Sequence, residues 1–457
     1  MQHSEPPPSP VDIAIVGGGA SGVLLATQLV RKSRLRVALI ERGANPGLGI
    51  AYSTHCLGHL LNVRASDMTA LADEPDHFVQ WLARDGSGFG RTDFVPRAIY
   101  GRYLQDLLAD AIRRAEGRVQ VIRGDVVAIR HGEDGVELDI EGHTPLRARK
   151  AVLATGHRPP SKDSGAYRGN PWRDEAIAGL APDASVLLIG TSLTMIDVLV
   201  SLLEHGHKAP IVAVSRRGLL PHRHTPAPIP TPEADTSDLF TGSLSQRTAR
   251  FRARLRAGLS WPGLMQLLRP YNNEMWRGLD INQRKRFLRH LRPWWDIHRH
   301  RVAPQIGALI NAAQEGGQLS IISGRIEIER TMDDKVDVTI TRRGSDVRES
   351  RSFDRVVDCR GPRNEVDVHV PLHAHLVENG LLRPDPLNQG LDVAADEALI
   401  GRDGTPSDRL FVLGPPTRGR YTEIVAIPDI RLQAAAVANG LIAALREPSG
   451  LINSPAA

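Results

Sequence analysis

The chain has 457 residues, 41% of them hydrophobic, with a formal net charge of +5 and two cysteines. That is enough apolar chain for two or three domains around a large core, which excludes disorder as a reading of the whole. Cys56 and Cys359 stand far apart without any CxxC, which argues against a thiol redox pair or a cysteine-based metal site and leaves redox chemistry to a bound cofactor.

In chain order, residues 1–10 (MQHSEPPPSP) are proline-rich and resemble neither a signal peptide nor an anchor, so a tail is expected there and over 451–457. No stretch reaches the roughly 18 to 20 uninterrupted apolar residues that a spanning helix requires. A cytoplasmic location with no membrane partner is expected. Ile13–Val16 is a β-branched run of the kind that forms a buried parallel strand, and Gly22–Val30 continues at helical spacing. Between them Gly17, Gly19 and Gly22 spell GxGxxG, with Ala20 and Ser21 inside the motif. The first glycine permits a tight turn, the second leaves room for a pyrophosphate, and the third lets helix and strand pack closely. The helix N-terminus then presents unpaired N–H groups to the phosphates. A second apolar run, Leu35–Ile40, ends at Glu41, followed by Arg42. An acid at that place accepts hydrogen bonds from a ribose 2′-hydroxyl. Strand, glycines, helix, strand and acid in register predict a dinucleotide site in a first domain over 11–160. The strand Ala151–Ala154, closing on Thr155 and Gly156, leads out of it.

A second unit of the same kind begins at "SVLLIGTSLTMIDVLVSLL". Ser185–Ile189 is its strand and Thr194–Leu203 its helix. Gly190 keeps the first glycine, Thr191 and Leu193 flank Ser192, and Ser192 and Met195 replace the later glycines. The next strand, Ile211–Val214, ends in Ser215, Arg216 and Arg217 rather than an acid. A carboxylate repels a 2′-phosphate, whereas a hydroxyl and two guanidiniums bind it, which favours NADPH over NADH. The second domain is placed at 161–305.

Within it, residues 222–300 are expected to form a helical insertion. From Arg216 to Gln305 the chain carries sixteen Arg and one Lys against six Asp and Glu, with four of the six Trp. No nucleic-acid module is recognisable, so a nucleic-acid partner is not expected, and a phosphate-bearing small molecule explains the same charge. "RPWWDIHRHRVAP" brings Asp296, His298 and His300 close in sequence, but no further ligand cluster supports a metal. Two readings remain there: Trp294 and Trp295 in the core with Asp296 paired to an Arg, or a pocket role for Asp296, His298 or Arg299.

"FDRVVDCRGP", ending at Gly361 and Pro362, looks like the return crossing to the first domain, whose second part is placed at 306–450. Leu410–Leu413 is its last buried strand, closing on Gly414. A final helix starts near Ile427, with Pro428 and Asp429 in its first turn. If that N-terminus points at a flavin ring, its partial positive charge stabilises the reduced anionic flavin.

The combination of "GGGASG", "GIAYSTHCLGHLLNVRASDM", "FVPRAIYGRYL", "ATGHRP", "SRRGLLP" and "LGPPTRGRYTEIVAIPDIR" resembles the bacterial FAD/NAD(P)-binding flavoproteins with two dinucleotide-binding domains. These are distant relatives of flavin-containing monooxygenases and amino-acid N-hydroxylases. The resemblance spans about Val11 to Leu445. It implies an α/β fold with two Rossmann-like domains, the NAD(P)-binding one inserted into the FAD-binding one. It also implies FAD and NADPH as cofactors, with Asn62, Val63 and Met68 along the flavin ring, Arg97 near the cofactor, and Val126, Gly414 and Ile427 among the FAD contacts. Asn62, Arg64, Asp296 and Glu423 are the candidate catalytic residues. Relatives often carry Pro where Arg64 stands, so Arg64 either holds an acidic substrate or points outwards. They tend to carry Trp where Thr422 precedes Glu423. Function then divides three ways. The leading expectation is an NADPH-consuming monooxygenase in which O2 forms a flavin C4a-hydroperoxide that oxygenates a small amine or amino-acid-like molecule, which the arginine excess permits to be anionic. The alternatives are an NADPH-dependent dehydrogenase or electron-transfer flavoprotein, and a non-catalytic flavin-binding regulator. Substrate identity and oligomeric state are not readable from the chain.

Overall fold

The computed structural model describes residues 10–158, 160–363 and 365–446. The first sheet takes β1 (Val11–Val16), β2 (Val37–Glu41), β3 (Val119–Arg123), β4 (Val126–His131), β5 (Val136–Ile140) and β6 (Leu146–Leu153). The chain then builds a second sheet from β7 (Tyr167–Arg168), β8 (Val186–Ile189), β9 (Ile211–Ser215), β10 (Leu319–Thr331), β11 (Val336–Arg342), β12 (Arg348–Phe353) and β13 (Arg355–Asp358). It returns to the first with β14 (Ala398–Ile400) and β15 (Pro406–Val412). The orders are β14-β15-β6-β1-β2-β3, with β5 of the β4–β5 hairpin paired to β6, and β12-β11-β10-β9-β8-β13-β7.

Both central sheets are parallel, and their short strands are apolar on both faces because helices or further strands cover each side. In β1, Ile13 and Ile15 enter one core while Ala14 and Val16 enter the other. In β8, Val186 and Leu188 divide from Leu187 and Ile189 in the same way. Strand order reverses between β1 and β6 in the first sheet and between β8 and β13 in the second. Each reversal opens a crevice beyond the strands' carboxyl ends, where ligands of such sheets bind.

The sheet pairing moves one expected boundary. β10 to β13, residues 319–358, belong to the second sheet, and helix Pro304–Glu315 packs Ile306, Ile310 and Ala313 into its core. The second domain therefore runs to the return crossing after Asp358, not to 305. The long excursion between β9 and β10 hid the continuity of that sheet. The outgoing and returning crossings meet as an antiparallel bridge between Arg158 and Arg363.

The insertion is helical from Ser237 to Arg299. Its core is small, with Leu239, Leu264 and Leu268 buried, and its arginines act as internal clips. Arg250 donates to the carbonyls of Asp238 (2.6 Å) and Thr241 (2.8 Å). Arg254 donates to Asp235 O and the Asp238 carboxylate, and Arg284 to the carbonyls of Trp276, Leu279 and Arg277. Such bonds satisfy carbonyls that helix ends leave open. Of the tryptophans expected in the core here, Trp295 is half-buried, whereas Trp294 is 45% exposed.

The two glycine turns have matching geometry. Gly17 has φ +107°, and a Cβ there would stand 2.4 Å from Ala154 O; Gly190 has φ +113°, and a Cβ would stand 2.6 Å from Cys359 O. Gly206, at φ +76°, faces open space. Gly206→Ala should therefore cost only the left-handed penalty of about 1 kcal/mol, and Gly190→Ala distinctly more, measured as shifts in urea midpoint. Equal losses would show that the strand ends are not held at this separation.

Candidate cofactor site and its surroundings

The first turn lies at the floor of a cleft of about 400 Å³, and its lining brings together Gly17, Gly19, Glu41, Arg42, Val126, Thr155 and Gly156. Gly19 is the N-cap of helix Ala20–Lys32, in extended conformation and without a side-chain cap. The first helical N–H groups are thus left for a ligand. Gly22 has no room for a Cβ, which would meet Gly17 O at 2.0 Å. Gly18, outside the motif, has its own reason: a Cβ there would meet Glu41 Cβ at 2.7 Å. Glu41 accepts from Gly18 N (2.7 Å) and Gly43 N (2.7 Å), one on each oxygen, which keeps lone pairs for a ribose hydroxyl. Ser21 sits under Gly414, whose Cβ would fall 2.4 Å from Ser21 Oγ, so the end of β15 closes on the turn. An uncapped helix start, glycines where side chains would intrude and a free-lipped acid fit the pyrophosphate and ribose of a dinucleotide.

The second turn repeats the first position by position, Gly190 for Gly17, Ser192 for Gly19 and Met195 for Gly22. Ser192 is the N-cap of helix Leu193–Glu204, extended and uncapped like Gly19. Met195 is fully buried. Leu193 and Thr194 form the open helix start. Ser215 is turned inward, its hydroxyl 2.8 Å from Thr191 Oγ1 and accepting from Gly218 N (3.0 Å), while Thr191 Oγ1 donates to Leu219 O (2.6 Å). Ser215 thus shapes the loop rather than offering a hydroxyl outward. Arg216 is exposed and Arg217 half-buried, and both lie on that loop.

The residues expected beside the flavin and in catalysis make the following contacts. Met68 is buried in the first core and Val63 packs against it. Ile427 is in the same core, at the start of helix Ile427–Arg446, with Asp429 in the first turn. Burial and the nearby Glu423 push the Asp429 carboxyl up to about 6, against Arg299, Arg269 and Arg431. Arg97 lies outside the first cleft and ties the domains together: it donates to Asp197 (2.7 Å), Leu60 O (3.2 Å) and Asn62 Oδ1 (3.5 Å). Asn62 O accepts from His224 Nε2 (2.8 Å). Arg64 is half-buried and bound to main-chain carbonyls. It donates to Thr92 O, Thr225 O (2.8 Å) and Pro226 O (3.0 Å), with its guanidinium 4.8 Å from the Phe94 ring centre. Asp296 pairs with Arg292 (3.4 Å) and lies 3.9 Å from His300.

Glu423 is the largest departure. It is 4% exposed, and its two oxygens accept from Trp295 Nε1 (2.9 Å), Asn272 Nδ2 (2.7 Å) and Arg299 Nε (2.9 Å). Burial alone would raise its pKa, but Arg299, His300 and the Trp295 bond outweigh it and hold the carboxyl below its usual range. An acid whose lone pairs are so engaged is a lock between the insertion and the first domain. Sequence reasoning missed Asn272 and Trp295 as its partners, because they lie more than a hundred residues away. It also missed the buried group beside Gly414. Gln433 Oε1 accepts from Gly414 N (2.8 Å), Gln433 Nε2 donates to Thr417 Oγ1 (3.0 Å), and Tyr421 donates to Glu397. Burial pushes Glu397 up to about 7, opposed by the Tyr421 and Gln433 bonds.

Residues 14–158, which hold the first turn, Glu41, Val126 and the crossing strand β6, match a family model described as FAD-NAD(P)-binding. The whole chain is similar to an uncharacterized protein of Mycobacterium tuberculosis, 22% identical over 96% of each chain. Its fold is shared with an L-lysine 6-monooxygenase from Pseudomonas syringae (TM-score 0.66, 16% identity, 95% of this chain and 100% of that one). It is also shared with a thioredoxin reductase from Lactococcus lactis (TM-score 0.53, 13% identity, 95% and 99%). The chain has a mixed α/β fold with two sheets, consistent with two dinucleotide-binding domains. Among the described residues, no helix is long and apolar enough to cross a membrane.

Two outcomes test the buried acids. Arg299→Met leaves Glu423 buried without its cation and should cost about 3 to 5 kcal/mol at neutral pH. Because Glu423 is held below its unfolded value, the stability it supplies is present above that value and lost as pH falls; the wild type and Arg299→Met should therefore converge in acid melts. Glu397 has the opposite sign. Its folded value is raised, so ionisation destabilises the fold as pH climbs towards and past about 7. Glu397→Gln should gain melting temperature relative to wild type between pH 5 and pH 8, and a constant difference would refute the assignment.

Proposed function

We propose that this chain is an NADPH-consuming, FAD-dependent oxidoreductase, and a monooxygenase acting on a small nucleophilic molecule of the amine or amino-acid kind. The observation that carries the reading is the doubled cradle: two uncapped helix starts, each behind a glycine at φ above +100° pressed on a neighbouring strand end. One is followed by the acid Glu41 and the other by Arg216 and Arg217. Two such cradles let one chain hold two dinucleotides at once, one for a ribose hydroxyl and one for a phosphate-bearing ribose. Likeness in fold to the L-lysine 6-monooxygenase supports the monooxygenase choice. Likeness to the thioredoxin reductase supports the alternative, electron delivery to an acceptor other than O2, but the absence of any CxxC in this chain argues against disulfide chemistry.

FAD, when bound, supplies hydride acceptance and reaction with O2. The protein's part is positional. Glu41 and the N–H groups of Ala20 and Ser21 would hold the adenosine and pyrophosphate end. Arg216 and Arg217 would pair with a 2′-phosphate, and the N-terminus of helix Ile427–Arg446 would supply a partial positive charge favourable to a reduced flavin. Arg64, Arg97 and Glu423 fasten the insertion and the second domain to the first.

The purified protein should be yellow with FAD and be reduced much faster by NADPH than by NADH. Arg216→Ala should narrow that gap by weakening NADPH alone, by on the order of 1.5 to 3 kcal/mol, with FAD content unchanged. Stopped-flow mixing of the reduced protein with O2, alongside the fraction of NADPH electrons recovered as hydrogen peroxide in the presence of amines, separates the two readings. Reduced flavin that ignores O2 and reacts quickly with a quinone makes the protein a dehydrogenase.

A further inference from the structure

Arg301 is a cation without a counter-ion. It is half-buried, and its guanidinium has neither a hydrogen bond nor an ion-pair partner among the described residues. Its Nε is closed off from the surface, so the terminal amino groups are what it can present to a ligand. The charges that act on it are those of Arg299 and Arg64, both positive, and with burial they lower its pKa. Arg299 is engaged with Glu423 (2.9 Å), whereas Arg64 is held by the uncharged carbonyls of Thr92, Thr225 and Pro226. Arg64 and Arg301 are thus neighbouring cations with no carboxylate paired to either among the described residues.

The backbone fixes where Arg301 points. Val302 and Arg223 form a parallel bridge, in which Val302 N donates to His222 O (2.9 Å) and His224 N donates to Val302 O (2.8 Å). Side chains alternate across extended chains paired in this way. Val302 enters the core of the second domain, so Arg301 lies on the opposite face, with His222 and His224. That face meets the first domain: His224 Nε2 donates to Asn62 O (2.8 Å), and its ring lies 5.0 Å from that of Phe94, over which the Arg64 guanidinium also sits. His222 stacks on His298 with ring centres 4.4 Å apart. Burial and Arg301 bring His224 down to about 4, and burial, His222 and Arg301 do the same to His298. Both rings are therefore neutral at ordinary pH and line the face without adding charge.

We propose that Arg301 anchors a carboxylate on the small molecule that the protein oxidises, which narrows the substrate class given above to molecules that carry an acid. Only the word substrate rests on the oxidoreductase reading; the binding of an anion does not. The planar fork of a guanidinium matches the oxygens of a carboxylate. An anion placed there also compensates a half-buried charge that is otherwise left alone, and Arg64, its own N–H groups spent on carbonyls, adds a second positive charge close by. A simple amine lacking the acid would bring a further cation to the same face and is rejected.

The test follows the melting temperature and calorimetric heat of the FAD-loaded protein in butyrate, butyramide, butylamine and sodium chloride at matched ionic strength. Butyrate should raise the wild-type melting temperature saturably and bind about tenfold or more tightly than butyramide, with no such response to butylamine or chloride. Arg301→Met keeps an apolar stem and removes the charge. Without ligand it should melt above wild type, and its response to butyrate should vanish with FAD content retained. Arg301→Lys should keep a weaker response, a point charge replacing a fork. An arginine with a merely structural role requires the reverse, a lower melting temperature or failure to fold in Arg301→Met. That result, a wild type no more sensitive to butyrate than to butyramide or chloride, or an unchanged butyrate response in Arg301→Met overturns the proposal. NADP+ is the other source of an oxyanion: displacement of butyrate by NADP+, with NADP+ binding weakened in Arg301→Met, gives Arg301 to the nucleotide and overturns the proposal as well. Butyrate binding as expected in a protein whose reduced flavin ignores O2 removes the monooxygenase reading and leaves the anion site standing.

Discussion

A buried carboxylate organises the junction of this protein. Glu423 leaves the solvent with both oxygens claimed by three donors, and all three donors come from the insertion. A charge so placed tolerates no half-measures: with its partners it is held ionised, and without Arg299 it is an uncompensated ion in the interior. The insertion must therefore sit where it does for the first domain's final connection to be stable. Its own core is small, and several of its arginines are spent on carbonyls. Part of the positive excess that suggested a phosphate-bearing partner is a way of closing short helices, through Arg247, Arg250, Arg254 and Arg284.

The two nucleotide-type units were legible in the chain because everything they need is local. A strand, a turn and a helix occupy some twenty consecutive residues, and glycine at φ above +100° is the only residue that meets the neighbouring strand end without collision. The acid Glu41 and the basic pair Arg216 and Arg217 follow at a strand's length. The reading failed where the determinant is a partner far along the chain. Arg64, Arg97 and Glu423 each look like a charge awaiting a ligand when seen one at a time. Each is bonded to groups on segments between 28 and 161 residues distant, at Thr92, Thr225, Asp197, Asn272 and Trp295. The domain boundary was misplaced for a similar reason. β10 pairs with β9 across the whole insertion, and sequence neighbourhood carries no trace of that pairing.

The likeness of the two turns also has a limit. Gly22 lets the first helix settle onto Gly17 O, whereas fully buried Met195 occupies the corresponding place in the second unit. A side chain there needs room that Gly22 does not, so the two units differ in how the helix meets the turn. Ser215 adds to the difference, because its hydroxyl fastens the loop that presents Arg216 and Arg217 and leaves recognition there to the guanidiniums.

The insertion leaves the second sheet after β9 and rejoins it at β10, yet on the way it is fastened to the first domain at several separate points. Arg64 holds Thr225 and Pro226, Asn62 holds His224, Arg269 holds Asp67, Trp276 holds Gly419, and Glu423 holds Arg299. On the opposite side Arg97 grips Asp197. Mechanically the molecule resembles a closed ring more than a pair of lobes on a hinge. A swing of one domain against the other would have to break the half-buried Arg97–Asp197 pair and the buried Arg299–Glu423 pair together, which favours traffic in and out by local movement of loops and side chains.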